Sequence, residues 1–383
     1  MRLFALALTV LLLPRGIVLA QDRWQLTDID FATRTVELLS VDADAVTVRE
    51  GSREDKLPID RVLRLRRAVV ETKPVGPLVL HLHFGNRLSG SPLRLDGESL
   101  RWRSTSLGEI VVPLKEARGI LVLNAPEEVL DRERSEDTLR LQNGDMVRGI
   151  VDSITQKQVV VKTSDGRDVQ TPVESLQELL FASVGVASLA GARAFVVSTT
   201  DGSRFVCDSI RTDGTTFRVK VFGAEASLPS SSMLQFEQVN GAVTWLSDLM
   251  PVTSEHTPYF GVAMPPRMDR GVTGGPVRIG NRSYDRVIGV RSRSVLVFAL
   301  DGEFKRFRTA FAIDGNLPLA NVDVRILADD KELFARKGVR AGEAVTPLVL
   351  PVEGARQLTL EVDYGENFDV QDRLVWIEPA LLR

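Results

Sequence analysis

The stretch LRLQNGDMVRGIVDSITQKQVVVKTSDGRDVQTPVESLQELLF, residues 139–181, decides the fold. Leu139 and Leu141 alternate with Arg140, Asn143-Gly144-Asp145 turns the chain, and Met146 to Ile154 alternates again. Gln158 to Thr163 reads as a further strand, Asp165-Gly166 as a second turn, Val169 to Val173 as its continuation, and Leu179-Leu180-Phe181 as the close. Period-two alternation buries one face of a strand, and Asn-Gly or Asp-Gly supplies the positive φ of a tight hairpin. The segment therefore predicts about five short antiparallel strands.

The pattern recurs every 45 to 60 residues or so between Arg34 and Val239. A fourth copy runs from Phe195 through Asp201-Gly202 and Asp213-Gly214 to Phe236. A second runs from Leu78 through Gly85-Asn86 and Asp96-Gly97 to Val122, and the first, Arg34 to Leu65, is degenerate. Each copy resembles a small Sm-like or SH3-like barrel in its turn spacing, with one larger sandwich as the competing arrangement. Ala125 to Glu136 reads as a linker helix, with Pro126 and acids early and arginines later. Ala187 to Ala194 reads as a second short helical join.

The N-terminus predicts export. Arg2 precedes an apolar run from Leu3 to Leu13, and Val18-Leu19-Ala20 precedes Gln21, a leader pattern covering residues 1–20. The run is too short for a bilayer span, so the expected localisation is secreted or periplasmic, with no membrane span once the leader is removed. The chain carries 48 Lys and Arg against 51 Asp and Glu. That balance gives no electrostatic case for nucleic acid, and the run Arg64, Arg66, Arg67 reads as a solvated strand face. Cys207 is the only cysteine, so no intramolecular disulfide can form. It reads as a small buried apolar residue.

Beyond Trp245 the texture changes. A Pro- and Gly-rich stretch to Gly280 is followed by longer strands, among them Ser294 to Leu300, Val322 to Ala328 and Gln357 to Asp363, which suit a two-sheet jelly roll. Leu246-Ser-Asp-Leu249, Ile279 to Tyr284, Gly289 to Ser294, Phe307 to Asp314, Val322 to Leu333, Gly354 to Leu358 and Asp372 to Trp376 come in an order that resembles the NPCBM family. That family is the putative carbohydrate-binding module found beside glycoside hydrolases of family 98, also called carbohydrate-binding module family 51. The resemblance implies a galactose-binding-like sandwich, ligand loops at one end, a structural calcium and no catalysis. It departs where the family has His and this chain has Arg291, where an Asp precedes the last Trp and here Val375 does, and where Ala312 and Ile313 precede Asp314.

The expected architecture is thus all-β: leader 1–20, two barrel-like repeats in 21–124, a linker helix at 125–136, two more repeats in 137–240 and an NPCBM-like sandwich over 245–383. Stacking on a sugar ring needs an aromatic face, and vicinal hydroxyls need charged or amide groups. Tyr284, Arg291, Asp314, Asp372 and Trp376 are the expected carbohydrate contacts. Trp376 is also read as a core residue, because Val375 and Ile377 flank it in a closing strand. Asp363, Glu366 and Asp369, with Asn367 and Asp372 nearby, are the expected calcium ligands. His81 and His83 share one strand face and, with His256, are the residues a zinc site would use.

Neither a nucleophile elbow nor a phosphate loop is present, and Gly271 to Gly275 lacks the Lys of one. The expected partner is a glycan or glycoprotein, or other cell-surface proteins. The expected function is an exported, non-catalytic carbohydrate binder. The alternatives are a surface interaction scaffold, or a glycoside hydrolase or accessory subunit of one.

Overall fold

A computed structural model describes residues 23–67, 75–131, 133–183 and 192–383. The expected leader, residues 1–20, and most of the Ala187–Ala194 stretch lie outside the described residues; Ala194 itself opens a strand.

Among the described residues, four units of five strands run from Arg23 to Val239. Unit one comprises Arg23–Asp28, Thr33–Val41, Ala45–Glu50, Arg53–Pro58 and Val62–Arg67, and unit two Leu78–Leu82, Arg87–Asp96, Ser99–Ser104, Gly108–Pro113 and Ala117–Val122. Unit three comprises Asp137–Leu141, Met146–Ile154, Gln158–Lys162, Asp168–Pro172 and Leu176–Leu180. Unit four comprises Ala194–Thr199, Arg204–Cys207 continuing as Ser209–Thr212, Thr216–Val221, Ala224–Pro229 and Met233–Val239. In every unit the first strand pairs with the second and the fifth, so the order is five-one-two-three-four, all antiparallel.

Unit one starts earlier than the repeat pattern suggests. Its first strand ends in a turn in which Asp28 Oδ1 accepts the Asp30 and Ala32 amides, replacing the glycine of the other copies. Between fourth and fifth strands every unit makes one 3₁₀ turn, and each follows a proline: Pro58, Pro113, Pro172 and Pro229. Proline lacks the N–H that would continue the ladder, and its fixed φ favours a helical first turn. Each fourth strand therefore stops there, and among the described residues no ladder closes it onto the fifth.

The units are not separate closed barrels in tandem. The fifth strands of units two and three pair with each other, as do those of units one and four, and all 21 strands form one hydrogen-bonded system over one apolar core. Pairing these edges removes strand edges that would otherwise be open. The linker expected to be helical over 125–136 is only a 3₁₀ turn at Glu127–Asp131. Its acids and arginines lie against neighbouring units: Glu127 pairs with Arg270, and Arg134 Nη1 donates to the Phe181 carbonyl at 3.3 Å. These tertiary partners take over from the helix.

Second strands bend sharply, and glycine permits it in two units. At Gly90 and Gly149 φ is +153° and +157°, and an added Cβ would fall 2.0 Å from the Arg103 carbonyl or 2.1 Å from that of Lys162. Gly149→Ala should cost ~1–3 kcal/mol in urea unfolding, whereas Gly275→Ala, where a Cβ meets nothing, should change the midpoint little.

The C-terminal region is a two-sheet sandwich that shares no strand with the units. One sheet runs Arg267–Met268, Val287–Arg291, Arg373–Leu382, Arg306–Ile313, Leu348–Pro351, with Val243–Trp245 paired to the end of Arg373–Leu382. The other runs Thr253–His256, Ser294–Ala299, Gln357–Tyr364, Asn321–Ala328, Lys331–Arg340. Alternate side chains, such as Phe298, Phe307, Ile326 and Leu360, fill the space between them.

Sandwich and repeats meet on a buried charge network. Glu237, on the last strand of unit four, accepts from Arg64 Nε and from Arg286 Nε, both at 2.7 Å. Arg286 also reaches Asp248 at 2.7 Å and Asp269 at 3.2 Å, and Arg64 reaches Glu378 at 3.5 Å. The Trp245 ring carries the guanidinium groups of both Arg64 and Arg286, at 5.7 and 5.6 Å from its centre. The Arg64 to Arg67 strand is therefore not a solvated face: Arg67 is buried, donates to the Met233 carbonyl and covers Trp24, and the part-buried Arg64 is engaged by Glu237.

Burial would raise the Glu237 carboxyl, but Arg286 and Arg64 outweigh it and hold the group at about 2, below its ordinary 4.5. The stabilisation this provides is present above the ordinary value and is lost as pH falls from there toward 2. Arg286→Met leaves Glu237 buried and half-paired and should cost ~3–5 kcal/mol at neutral pH, with the deficit relative to wild type shrinking across that acidic window. Arg101→Ala, at an exposed pair, should leave the urea midpoint nearly unchanged. Urea titrations at two pH values check both.

Candidate functional site

At the end of the sandwich away from Arg286, four connections converge: 257–266, 292–293, 314–320 and 365–372. The first leaves the edge strand Thr253–His256, and the last joins Gln357–Tyr364 to Arg373–Leu382. Tyr259 rests on Phe368 with ring centres 4.4 Å apart, Phe260 abuts Tyr259 at 4.8 Å, and Tyr364 meets Tyr259 edge-on at 5.8 Å. The rings are not core: Tyr259 is 51%, Phe260 60% and Phe368 48% exposed. Exposed aromatic clusters of this kind mark recognition surfaces, since their burial is deferred to a partner.

Polar groups fix the platform from beneath. The buried Asp369 accepts the amides of Tyr259 and Phe260 through Oδ2, both at 2.8 Å, tying the two loops together. Arg291 Nη2 donates to the Asp369 carbonyl at 3.3 Å. His256 Nδ1 accepts the Met264 amide at 2.9 Å, so its other nitrogen bears the proton donated to the Ser292 carbonyl at 3.0 Å. Tyr364 donates its hydroxyl to the Thr257 carbonyl. The result is a ring surface held in place, bordered by the exposed Leu319 and the part-buried Asn367, whose amide donates to the Leu319 carbonyl at 2.8 Å. Such a surface can cover the C–H face of a sugar ring.

The expected contact residues do not form one site. Arg291, Asp314 and Asp372 lie at the platform end, but Asp372 is fully buried, accepting from Ser292 Oγ at 2.6 Å and from the Asn321 amide at 3.0 Å. Burial raises its carboxyl above the ordinary range and so favours that enclosed role. Asp314 is part-buried and likewise raised by burial. Trp376 is corrected to the core: it is fully buried, its ring 5.9 Å from that of Phe311, with no face to offer a ligand. Tyr284 lies at the opposite end, nearly buried, beneath the Arg282 guanidinium.

The calcium ligands do not converge either. Asp363 Oδ1 accepts the Tyr364 amide, Glu366 pairs with Arg340, and Asp369 is taken by its two amides. Among the described residues no three His, Cys, Asp or Glu side chains are grouped to hold a metal, so these residues do not fit a calcium ion. The same finding removes the zinc reading. His81 is buried in unit two, where desolvation lowers its imidazole to about 4, and His83 lies on the following turn.

Sequence reasoning missed Tyr259, Phe260 and Phe368. The available signal was an adjacent Tyr-Phe pair followed by glycine within a Pro- and Gly-rich stretch, where no strand could bury both rings.

Residues 242–382 match the NPCBM/NEW2 domain. The NPCBM/NEW2 region thus covers both sheets of the sandwich and begins one residue before its first strand, Val243–Trp245. Among solved structures, the second CBM51 with INT domains of Clostridium perfringens ZmpB, in complex with GlcNAc, is 21% identical with TM-score 0.34, over 46% of this chain and 37% of that one. The CBM51 of Clostridium perfringens GH95 with methyl-galactose is 20% identical with TM-score 0.32, over 36% and 99%. The tandem CBM51 modules of the Streptococcus pneumoniae family 98 glycoside hydrolase are 10% identical with TM-score 0.32, over 94% and 87%. The chain thus spans little more than a third of the first of these. No curated protein matches it.

Asp369→Ala removes the acceptor that joins the two platform loops of the NPCBM/NEW2 domain. Limited proteolysis should show chymotrypsin cutting after Tyr259 or Phe260 several-fold faster than in wild type, with the unfolding free energy lowered by about 1–2 kcal/mol.

Proposed function

We propose that this protein is exported and binds carbohydrate without cleaving it, through the Tyr259, Phe260 and Phe368 platform of its C-terminal domain. The observation that carries the reading is the exposed ring cluster at the loop end of a region matching the NPCBM/NEW2 domain. Phe368 and Tyr259 would take the apolar face of a pyranose. Arg291 acts here as a positioning residue, because its guanidinium is turned to Asp369 and Met264. The non-catalytic reading draws support from the carboxylates at this end. Asp369 and Asp372 are consumed by amides and a hydroxyl, whereas glycoside cleavage needs two carboxyl groups free to face one bond. Export rests on the leader pattern of residues 1–20.

A glycan array probed with the full chain, followed by calorimetry on the sugars it captures, tests the reading. N-acetylglucosamine and galactosides are the first probes. Tyr259→Ala and Phe368→Ala should each weaken binding roughly tenfold, about 1.4 kcal/mol, with unchanged circular dichroism. A folded chain that captures no glycan would leave the interaction-scaffold alternative in its place, and turnover of chromogenic glycosides would end the non-catalytic reading.

A further inference from the structure

The loop that carries Tyr259 and Phe260 is fastened by side chains and not by a strand ladder. It leaves the edge strand Thr253–His256 and rejoins a sheet at Arg267–Met268. At its start Thr257 exchanges two backbone hydrogen bonds with Arg293, at 2.9 and 3.3 Å. Asp369 then takes the amides of Tyr259 and Phe260, and His256 takes that of Met264. Gly261, Val262 and Ala263, all exposed, lie between these two clamps.

The clamps differ in chemistry. A carboxylate accepts hydrogen bonds at any pH above its own range, whereas an imidazole accepts only while it is neutral, because both nitrogens of the protonated ring are donors. His256 uses both of its nitrogens: Nδ1 accepts from Met264 at 2.9 Å, and Nε2 donates to the Ser292 carbonyl at 3.0 Å. A further proton can go only to Nδ1, where it meets the Met264 N–H. The bond is lost and a repulsion replaces it.

The charges around the ring do not relieve this. Arg291 reaches Met264 as well, its Nη1 3.7 Å from Sδ, and Arg293 directly follows Ser292. Asp369 is occupied by two amides, and Asp372 by the Ser292 hydroxyl and the Asn321 amide. Glu255, next to His256 on the edge strand, is exposed, and the Tyr364 hydroxyl is turned to the Thr257 carbonyl.

We propose that His256 is a positioning residue of the platform and an acid latch on it: the neutral imidazole closes the 257–266 loop, and protonation frees the loop. The consequence for saccharide binding rests on the platform reading above; the opening of the loop does not. An ordinary imidazole takes up its proton near about pH 6.5. Because the neutral ring favours the closed loop, closure is present above that range and is lost as pH falls through it.

Hydrogen exchange of the full chain tests the latch without any ligand, read by mass spectrometry on peptides spanning 257–266 and corrected for the intrinsic pH dependence of exchange. Protection there should fall several-fold between about pH 7.5 and about pH 5, in step with the His256 ring titration followed by NMR, while the strand Gln357–Tyr364 keeps its protection. His256→Asn places an amide oxygen close to where Nδ1 stands, and that oxygen accepts at either pH; its loop should be equally protected at both. Should the variant not fold, wild-type protection and ring titration decide the matter by themselves. Calorimetry with N-acetylglucosamine should show roughly tenfold weaker binding at the lower pH in wild type and no pH dependence in His256→Asn. Loop opening in step with the ring, with no glycan captured at either pH, would support the latch and count against the platform reading alone. Protection that stays constant over this range, that is lost out of step with the His256 ring, or that is lost equally in His256→Asn would each overturn the proposal.

Discussion

The buried ion network of Glu237 with Arg64 and Arg286 is the constraint that makes one body of two different β architectures. Each of these charges is costly to bury alone, and together they are satisfied only when the last strand of unit four, the last strand of unit one and the sandwich stand in register. Trp245, in cation–π contact with both guanidinium groups, lies where the repeat array ends and the sandwich begins. A purely apolar junction would tolerate sliding. A shared carboxylate with two fixed donors does not.

That register sets the functional geometry. With the Arg286 end of the sandwich against the repeats, the loops at the other end point to solvent, and the only large aromatic rings they carry are left uncovered. Asp369 then does at the free end what Glu237 does at the joined one: a single buried carboxylate organises two segments far apart in sequence.

Much of the fold was legible in the sequence. Asn143-Gly144 and Asp165-Gly166 announce hairpins because only a few residues accept their backbone angles, and alternation along Met146 to Ile154 assigns one face to the core. The four prolines before the 3₁₀ turns carry equal information, since each ends a fourth strand for the same reason. What could not be read was tertiary. Nothing local distinguishes Arg64, part-buried against Glu237, from an exposed arginine on a strand, and nothing in Ala125 to Glu136 reveals that neighbouring units compete for its side chains. The candidate site was legible only in its setting. Motif order located the domain, yet Trp376 and Asp372 support its interior, while the exposed rings came from a loop with no periodicity to read.

The most direct measurement of the central claim is a crystal structure of the full chain with a bound saccharide. The account predicts a sugar ring lying over Tyr259 or Phe368, with Asp369 still holding the two loop amides and Trp376 untouched in the core. A neutral sugar seated elsewhere, with these rings bare, or a rearrangement that exposes Trp376 to the ligand, would contradict it.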